Sequence, residues 1–137
     1  EPFRKSLKPD RPVSVLILNG TEDPLVPYGG GSVGGTHGRT IGTAEAVRLW
    51  AAADRCAKQP VVERLPDADP GDACLTERSR WIGGREGTEV VLYELRGGGH
   101  TWPGGPQYAP KALIGRVCRD LDATRTIWEF FREHSRP

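Results

Sequence analysis

The chain has 137 residues, which is enough for one domain with a core of its own. Its 19 Lys and Arg nearly balance its 18 Asp and Glu, and the formal net charge of +1 argues against a nucleic-acid or polyanion partner recognised by charge alone. No apolar run reaches the length of a membrane span, and the first residues show no secretory-signal pattern.

The first predicted strand covers about 13–19, a short and nearly continuous apolar run. Such a run is typical of a strand that is buried on both faces. It ends at the turn signal Asn19-Gly20, so that Asp23 is predicted just beyond the end of the strand. Taken alone, Asp23 is most simply a turn aspartate that bonds its own backbone.

The next segment, Gly29 to Gly42, contains seven glycines and is predicted to lack regular structure. It has no Gly-Lys-Ser/Thr and no dinucleotide-binding spacing, so it does not predict a phosphate site. A helix is predicted at about 43–56, with Thr43 as its N-cap and Trp50 as a core residue.

A small antiparallel hairpin is predicted at about 61–82, around an acidic turn. The aspartates of that turn lack the glutamate that closes an EF-hand loop, so we predict no calcium site there. A second main strand follows at about 88–95, and the polar connection at 107–119 has no predicted shape.

The last helix is predicted at about 122–134, with Asp122 as its N-cap. The helical spacing predicts that Phe130 and Phe131 pack on the sheet. His134, near the helix end, is predicted to be a surface group that interacts favourably with the helix dipole.

This order of elements predicts an α/β fold, a layered domain with a largely parallel sheet. The parallel strands are those at about 13–19 and 88–95, and the helices are those at about 43–56 and 122–134. Two parallel strands make a thin sheet, and the first apolar run needs neighbours on both sides. The fold therefore needs more strands than these residues supply.

The glycine-rich stretch from Gly97 to Gly105 carries His100 directly after the second main strand. A histidine there lies at the carboxyl edge of the sheet, where ligands bind in open α/β sheets. A lone histidine in a glycine loop is most simply a surface residue, but Asp23 occupies the corresponding place after the first strand. An acid followed by a histidine in chain order matches the last two members of a Ser-Asp-His hydrolase triad.

Three stretches resemble the polyhydroxybutyrate depolymerase-like esterases, which include feruloyl and acetylxylan esterases. Asn19–Tyr28 resembles their acid segment, Gly97–Gly105 their histidine loop, and Asp120–Phe131 their final helix. The resemblance runs from about 12 to 136 with the order of the stretches preserved.

The resemblance implies the α/β-hydrolase fold and a secreted serine carboxylesterase with no metal or organic cofactor. It assigns Asp23 as the triad acid and His100 as the base, with Trp102 and Tyr28 lining a pocket for an acyl or aromatic group. The substrate it implies is a polyester or plant cell-wall ester, and it leaves open whether the ester is feruloyl, acetyl or hydroxyalkanoate. It implies no nucleic-acid or membrane partner.

The nucleophile elbow and the oxyanion-hole loop of these esterases have no counterpart in the chain. Residues 1–137 are therefore expected to be a single α/β domain that forms the C-terminal half of a hydrolase domain. The serine is expected from a missing N-terminal half on a separate polypeptide, and a second copy of the chain is an alternative partner. Alone, the chain is expected to be inactive.

Ser32, within Gly30–Gly34, matches the elbow formula G-x-S-x-G. We give it low weight as a nucleophile, because it follows a glycine run instead of a strand, opens no helix and lies between the acid and the base.

The three cysteines allow one disulfide with a free thiol, or three free thiols. Their spacing fits no zinc pattern, and the three histidines are too scattered to supply one. The esterases of this type carry a cysteine just before the histidine strand that pairs with the equivalent of Cys56. Here that region reads Trp81–Gly84, which leaves Cys74 as a substitute partner for Cys56.

A non-catalytic module that binds polysaccharide or polyester is the alternative function. A spaced row of aromatic side chains would favour it, but the obvious candidates, Trp102, Tyr108 and Tyr28, form no such row in the sequence.

Overall fold

The computed structural model describes residues 9–35 and 37–135. Within these ranges the chain forms a four-stranded sheet, a two-stranded ribbon and three α-helices. In chain order the elements are β1 (Val15–Gly20), β2 (Gly31–Ser32), β3 (Arg39–Thr40), α1 (Thr43–Asp54), β4 (Val61–Arg64), β5 (Leu75–Trp81), β6 (Val90–Arg96), α2 (Lys111–Ile114) and α3 (Ala123–Glu133).

The four-stranded sheet has the order β1-β6-β5-β4. The two predicted main strands pair in parallel, with Val15 opposite Val90. The predicted antiparallel hairpin is confirmed, because β4 pairs antiparallel with β5. The prediction of a largely parallel sheet is wrong, because this hairpin belongs to the main sheet and β5 also pairs antiparallel with β6. A tight turn at Arg85–Gly87 joins β5 to β6, and so short a connection cannot carry the crossover that parallel neighbours require. The class is mixed α/β.

A layer packs against each face of this sheet. Side chains alternate along β1 and β6, so the odd positions of β1 share a face with the even positions of β6. On that face α1 packs, through the cluster Val47, Ala51, Val90 and Leu92, with Trp50 half-buried against it. On the opposite face lies the cluster Cys74, Leu95, Cys118, Leu121 and Ala123, which includes the first residue of α3.

Strand β1 forms one end of the sheet. Its neighbour is β6 on one side, and within the described residues no strand pairs with its other edge. As a result, residues 15–18 are only half-buried, although their apolar run predicts burial on both faces. The sequence predicts that the fold needs more strands than these residues supply. Within the described residues, the neighbour that β1 lacks is the one on its outer side.

Both long helices lie close to their predicted positions, but their starts and faces differ from the predictions. Helix α1 begins at Thr43 with Gly42 as its N-cap, so the prediction that Thr43 caps the helix is wrong by one residue. Asp122 caps α3 as predicted, and its Oδ1 accepts a hydrogen bond of 3.0 Å from the backbone N–H of Arg125. Phe130 is buried, whereas Phe131 is 63% exposed, because adjacent helix positions point in different directions.

His134 is half-buried, and the prediction that it is a surface group is wrong. Its Nε2 lies 3.0 Å from Oε1 of Glu89 and its Nδ1 lies 2.7 Å from the carbonyl oxygen of Phe130. Its ring also stacks on Phe130, with 4.2 Å between the ring centroids. These contacts join the end of α3 to the residue that precedes β6.

Two segments predicted as irregular contain regular structure. Within Gly29–Gly42, β2 and β3 form a small antiparallel ribbon in which Gly31 lies opposite Thr40. The polar connection at 107–119 contains the single-turn helix α2. Both elements are short, and neither shows the hydrophobic periodicity on which a sequence prediction depends.

One disulfide joins Cys74 to Cys118, with 5.5 Å between their Cα atoms, and Cys56 is a free thiol. The predicted pairing of Cys74 with Cys56 is therefore wrong. The bridge connects the residue just before β5 to the segment that leads into α3 and closes a loop with a sequence separation of 44. Burial raises the pKa of the Cys56 thiol, and the nearby Asp54 carboxylate adds to this effect.

Within the described ranges, no helix combines the length and apolar character that crossing a membrane demands.

Candidate active site

Two loops leave adjacent parallel strands at the same edge of the sheet. The loop after β1 carries Asp23, and the loop after β6 carries His100. Backbone hydrogen bonds join the loops, from Thr21 N to Leu95 O at 3.0 Å and from Glu22 N to Gly98 O at 2.9 Å. The strand pairing therefore continues past the ends of the strands and fixes the two loops relative to each other.

Asp23 and His100 are in direct contact. The Nδ1 atom of His100 lies 2.9 Å from Oδ2 of Asp23. The other carboxylate oxygen, Oδ1, accepts hydrogen bonds from the backbone N–H groups of Leu25 (2.8 Å) and Val26 (2.7 Å). Both oxygens of the carboxylate are thus engaged, and its orientation is set from two sides.

The two side chains differ in exposure. The Asp23 side chain is 8% exposed, whereas the His100 side chain is 44% exposed. Because an ionised carboxylate only accepts hydrogen bonds, the contact with Asp23 places a ring proton on Nδ1 of His100. The imidazole is then held by a shielded acid at one nitrogen, while the second nitrogen, Nε2, is the one that can take up a proton.

Glycines allow the loops to pack this closely. A Cβ atom on Gly99 would lie 2.2 Å from the carbonyl oxygen of Ile114 and 2.4 Å from the Cα of Gly115. A Cβ atom on Gly20 would lie 2.3 Å from the carbonyl oxygen of Gly98. The backbones therefore touch at positions where any side chain would separate them.

The backbone of His100 is also fixed at both ends. Its N–H donates to the carbonyl oxygen of Ile114 at 2.6 Å, and its carbonyl oxygen accepts from the Tyr108 hydroxyl at 2.7 Å. Gln107, next to Tyr108, donates to the carbonyl oxygens of Ala109 and Gly115 and accepts from the N–H of Val117. The segment that follows the histidine loop thus holds the loop in place.

A cavity of about 470 Å³ opens beside the pair. Most of its walls are apolar, and Trp102 and Tyr108 are its two aromatic residues. The lining residues are Leu18, Asn19, Gly20, Asp23, Val26, Leu95, Gly99, His100, Thr101, Trp102, Pro103, Tyr108, Ala123 and Ile127. No lysine or arginine is among them, so the cavity suits an uncharged, largely apolar group.

The structure brings three of the five predicted site residues together and leaves two apart. Asp23, His100 and Trp102 line the cavity, and Trp102 is fixed by a 3.0 Å hydrogen bond from its Nε1 to Oγ1 of Thr124. Tyr28 does not line it; its hydroxyl donates to Oε2 of Glu94 at 2.6 Å. Ser32 is exposed on β2 and does not line it either.

The sequence alone does not indicate that Gln107 and Ile127 belong to the site, or that Tyr108 holds the backbone of His100. Ile127 belongs to the predicted apolar face of α3, and that pattern alone does not show that the face reaches the site. Gln107 and Tyr108 lie in a segment without periodicity, and their roles depend on contacts across the fold. No signal in the sequence identifies them.

The cavity lacks a nucleophile and a metal centre among the described residues. No serine or cysteine of ranges 9–35 and 37–135 lines it. In the same ranges no group of three or more His, Cys, Asp and Glu side chains is placed to hold a metal ion. The described residues around the cavity thus include a paired carboxylate and imidazole, and no serine or cysteine beside them.

An acid–histidine pair at the carboxyl edge of a mixed α/β sheet is an arrangement found in hydrolases with an oriented general base. The chain is similar to a curated protein of Nocardia uniformis subsp. tsuyamanensis that bears the name "Putative esterase NocK". The two are 32% identical over 133 residues, covering 90% of this chain and 38% of the relative. The chain thus spans less than two fifths of that protein's length. No family model and no solved structure matches the chain.

Proposed function

We propose that the chain supplies the acid and the base of a serine carboxylesterase. The observation that carries this proposal is the 2.9 Å contact between Nδ1 of His100 and Oδ2 of the shielded Asp23, beside an apolar cavity. The similarity to a protein named as an esterase supports the same chemistry. Asp23 is the triad acid and His100 the general base.

In this mechanism Asp23 holds the ring proton on Nδ1, so that Nε2 of His100 accepts the proton of a serine hydroxyl. The serine oxygen attacks the carbonyl carbon of the ester and forms a tetrahedral intermediate. When that intermediate collapses, the bond to the alcohol breaks and Nε2 returns the proton to the leaving oxygen. Water then repeats both steps on the acyl-serine and releases the acid.

The serine is proposed to come from an N-terminal half that completes an α/β-hydrolase domain of the polyhydroxybutyrate depolymerase-like type. Two observations support this proposal: within ranges 9–35 and 37–135 no strand pairs with the outer edge of β1, and residues 15–18 are only half-buried. A buried parallel strand has neighbours on both sides. A second copy of the chain, paired along the same edge, is the alternative partner. We also propose that the protein is secreted, as the resemblance implies. The disulfide Cys74–Cys118 supports this proposal, because disulfides persist in oxidising compartments.

The cavity is proposed to hold the uncharged acyl or aromatic group of a polyester or plant cell-wall ester. Trp102 and Tyr108 flank it, and Pro103 and Ile127 add apolar surface. Tyr28 is not part of this proposal, because its hydroxyl is engaged by Glu94.

Labelling with a fluorophosphonate, which reacts with activated serines, tests the proposal. The chain would be treated alone and after addition of a serine-bearing N-terminal half of an esterase of this type, and the adduct located by mass spectrometry. We expect no adduct on the chain alone and an adduct on the elbow serine of the added half. The His100→Ala variant is the matched control and should abolish that adduct.

An adduct on Ser32 of the chain alone would show that the nucleophile lies within these residues and would overturn the two-part arrangement. Absence of an adduct in both conditions would contradict the esterase. In that case retention of the chain on insoluble polyester or polysaccharide would favour the alternative binding module. Its candidate surface is the set of exposed aromatic residues Trp102, Tyr108, Trp128 and Phe131.

A further inference from the structure

Tyr28 lies at the end of the segment that begins with Asp23. Its hydroxyl donates a 2.6 Å hydrogen bond to Oε2 of Glu94, a residue of β6, and its carbonyl oxygen accepts from the N–H of Thr43 at the start of α1. The segment is therefore attached to the sheet and to α1 at the same residue. Asp23, at the start of the segment, follows shortly after the end of β1.

The segment between these two points determines the orientation of the Asp23 carboxylate. Its Oδ1 accepts from the backbone N–H groups of Leu25 and Val26, which lie between Asp23 and Tyr28. The N–H of Gly30 donates to Pro27, which closes a turn around Tyr28. A displacement of Tyr28 would therefore move the two donors that orient the carboxylate.

Glu94 is in turn held by a charged neighbour. Nε of Arg96 donates to its Oε1 at 2.7 Å, and Nη2 of Arg96 lies 3.2 Å from Oε2 of Glu77 on β5. The acceptor of the Tyr28 hydrogen bond is thus fixed by strands of the sheet that also carries His100. The contacts run from β5 through β6 to the Asp23 segment.

We infer that Tyr28 and Glu94 are positioning residues that hold the Asp23 carboxylate against His100. Asp23 is the residue through which they act, and neither Tyr28 nor Glu94 touches the cavity. The inference rests on the proposed function for its catalytic meaning, but the positioning itself is a property of the folded chain.

The Nδ1 proton of His100 reports this positioning directly. Proton NMR of the 137-residue chain with ¹⁵N-labelled histidine measures the chemical shift of that proton and its exchange with water. Asp23→Asn identifies the resonance, because the hydrogen bond to Asp23 moves this proton downfield and slows its exchange with water. Tyr28→Phe removes one hydrogen bond to a carboxylate, and we expect exchange to become about tenfold faster, with an upfield shift.

The matched control is Tyr93→Phe, which removes a hydroxyl from the residue next to Glu94, on the opposite face of β6. It should leave the resonance unchanged. Glu94→Ala should reproduce the effect of Tyr28→Phe, while Glu94→Gln, whose amide oxygen still accepts, should restore most of the protection. In the double variant Tyr28→Phe/Glu94→Ala, the Nδ1 proton of His100 should exchange no faster than in either single variant, because both changes remove the same hydrogen bond.

Unchanged exchange in both Tyr28→Phe and Glu94→Ala, with the resonance still abolished by Asp23→Asn, would overturn the inference. A general loss of structure is recognised because it would also remove the protection of amides in α1 and β6, which Tyr28→Phe should retain. If the protein proved not to be an esterase while Tyr28→Phe still accelerated exchange, the positioning would stand and only the proposed function would fall.

Discussion

At the scale of single residues, Asp23 and His100 are held to different extents. The carboxylate accepts three hydrogen bonds and is nearly buried, whereas the imidazole keeps one nitrogen for chemistry. A general base needs this combination, since the proton must move at one nitrogen while the other remains fixed. The pair is thus built to orient a base.

The first prediction concerns the pair in the serine-bearing assembly. His100→Ala should lower kcat/KM for an aryl ester by about 10⁴-fold or more, and Asp23→Asn by about 10³-fold or more, because the base and its tautomer are lost. Steady-state hydrolysis of a chromogenic ester measures both. The control is His37→Ala, which replaces an exposed histidine in the connection between β2 and β3 and should retain the normal rate. Near-normal rates in His100→Ala would contradict the assignment.

The second prediction concerns Tyr28 and pH. Burial raises the pKa of Tyr28 above its ordinary value of 10.0, and the hydrogen bond to Glu94 raises it further. Below pH 10 the group is protonated in both the folded and unfolded chain, so its full contribution to stability is present. Above pH 10 the unfolded chain releases the proton first, and the free energy of unfolding falls as the pH rises.

Tyr28→Phe should therefore be less stable than the wild type by about 1 kcal/mol at pH 7 and should lose less stability between pH 9 and pH 11. Urea unfolding at a series of pH values measures the difference. If the free energy of unfolding fell by the same amount with pH in both proteins, the prediction would be contradicted. Tyr28 would then titrate alike in the folded and unfolded chain.

At the scale of elements, α3 is attached to the sheet at its end as well as along its face. His134 contacts Glu89, and Glu89 also accepts two hydrogen bonds from the guanidinium of Arg80 on β5. The last turn of a helix commonly frays, but here it ends on a buried carboxylate. These contacts stabilise the helix that supplies Ile127 and Thr124 to the site.

The third prediction tests this attachment. His134→Ala removes two hydrogen bonds and the stacking on Phe130, and should lower the free energy of unfolding by about 2 kcal/mol. Arg132→Ala, an exposed residue of the same helix, should change it by less than about 0.5 kcal/mol. Equal effects of the two substitutions in thermal unfolding would argue that the His134 contacts contribute nothing to stability.

The elements that carry the pair could be predicted from the sequence. The apolar runs before Asp23 and His100 indicate buried strands, and their parallel pairing follows from the helix between them. The role of Tyr28 could not be predicted, because it depends on Glu94, 66 positions away in the chain. The β5–β6 pairing and the ring contacts of His134 could not be predicted either. Both arise from tertiary packing, which leaves no local pattern in the sequence.

At the scale of the whole molecule, the disulfide Cys74–Cys118 joins the segment before α3 to the start of β5. The bridge lies in the buried cluster between the sheet and α3. It therefore connects the antiparallel half of the sheet to the layer that forms one wall of the cavity.

The fourth prediction concerns this bridge. Replacing both cysteines with alanine should lower the free energy of unfolding by about 4 kcal/mol, since the closed loop spans a sequence separation of 44. Cys56→Ala, which removes the free thiol, is the control and should change the free energy of unfolding by less than about 1 kcal/mol. An unchanged midpoint in the double variant would indicate that the bridge does not form in solution.

The glycine contacts at the edge of the sheet have a consequence for how this site can change during evolution or in a directed library. Gly20 touches Gly98, and Gly99 touches Gly115. None of the three segments that carry these glycines can therefore change its sequence there without affecting the segment that it faces. A residue that adds a side chain at any of these positions needs a simultaneous shift of the facing backbone. Variation in specificity is therefore confined to the side chains that face the cavity. A library of variants should begin at Trp102 and Ile127, because Tyr108 also holds the backbone of His100.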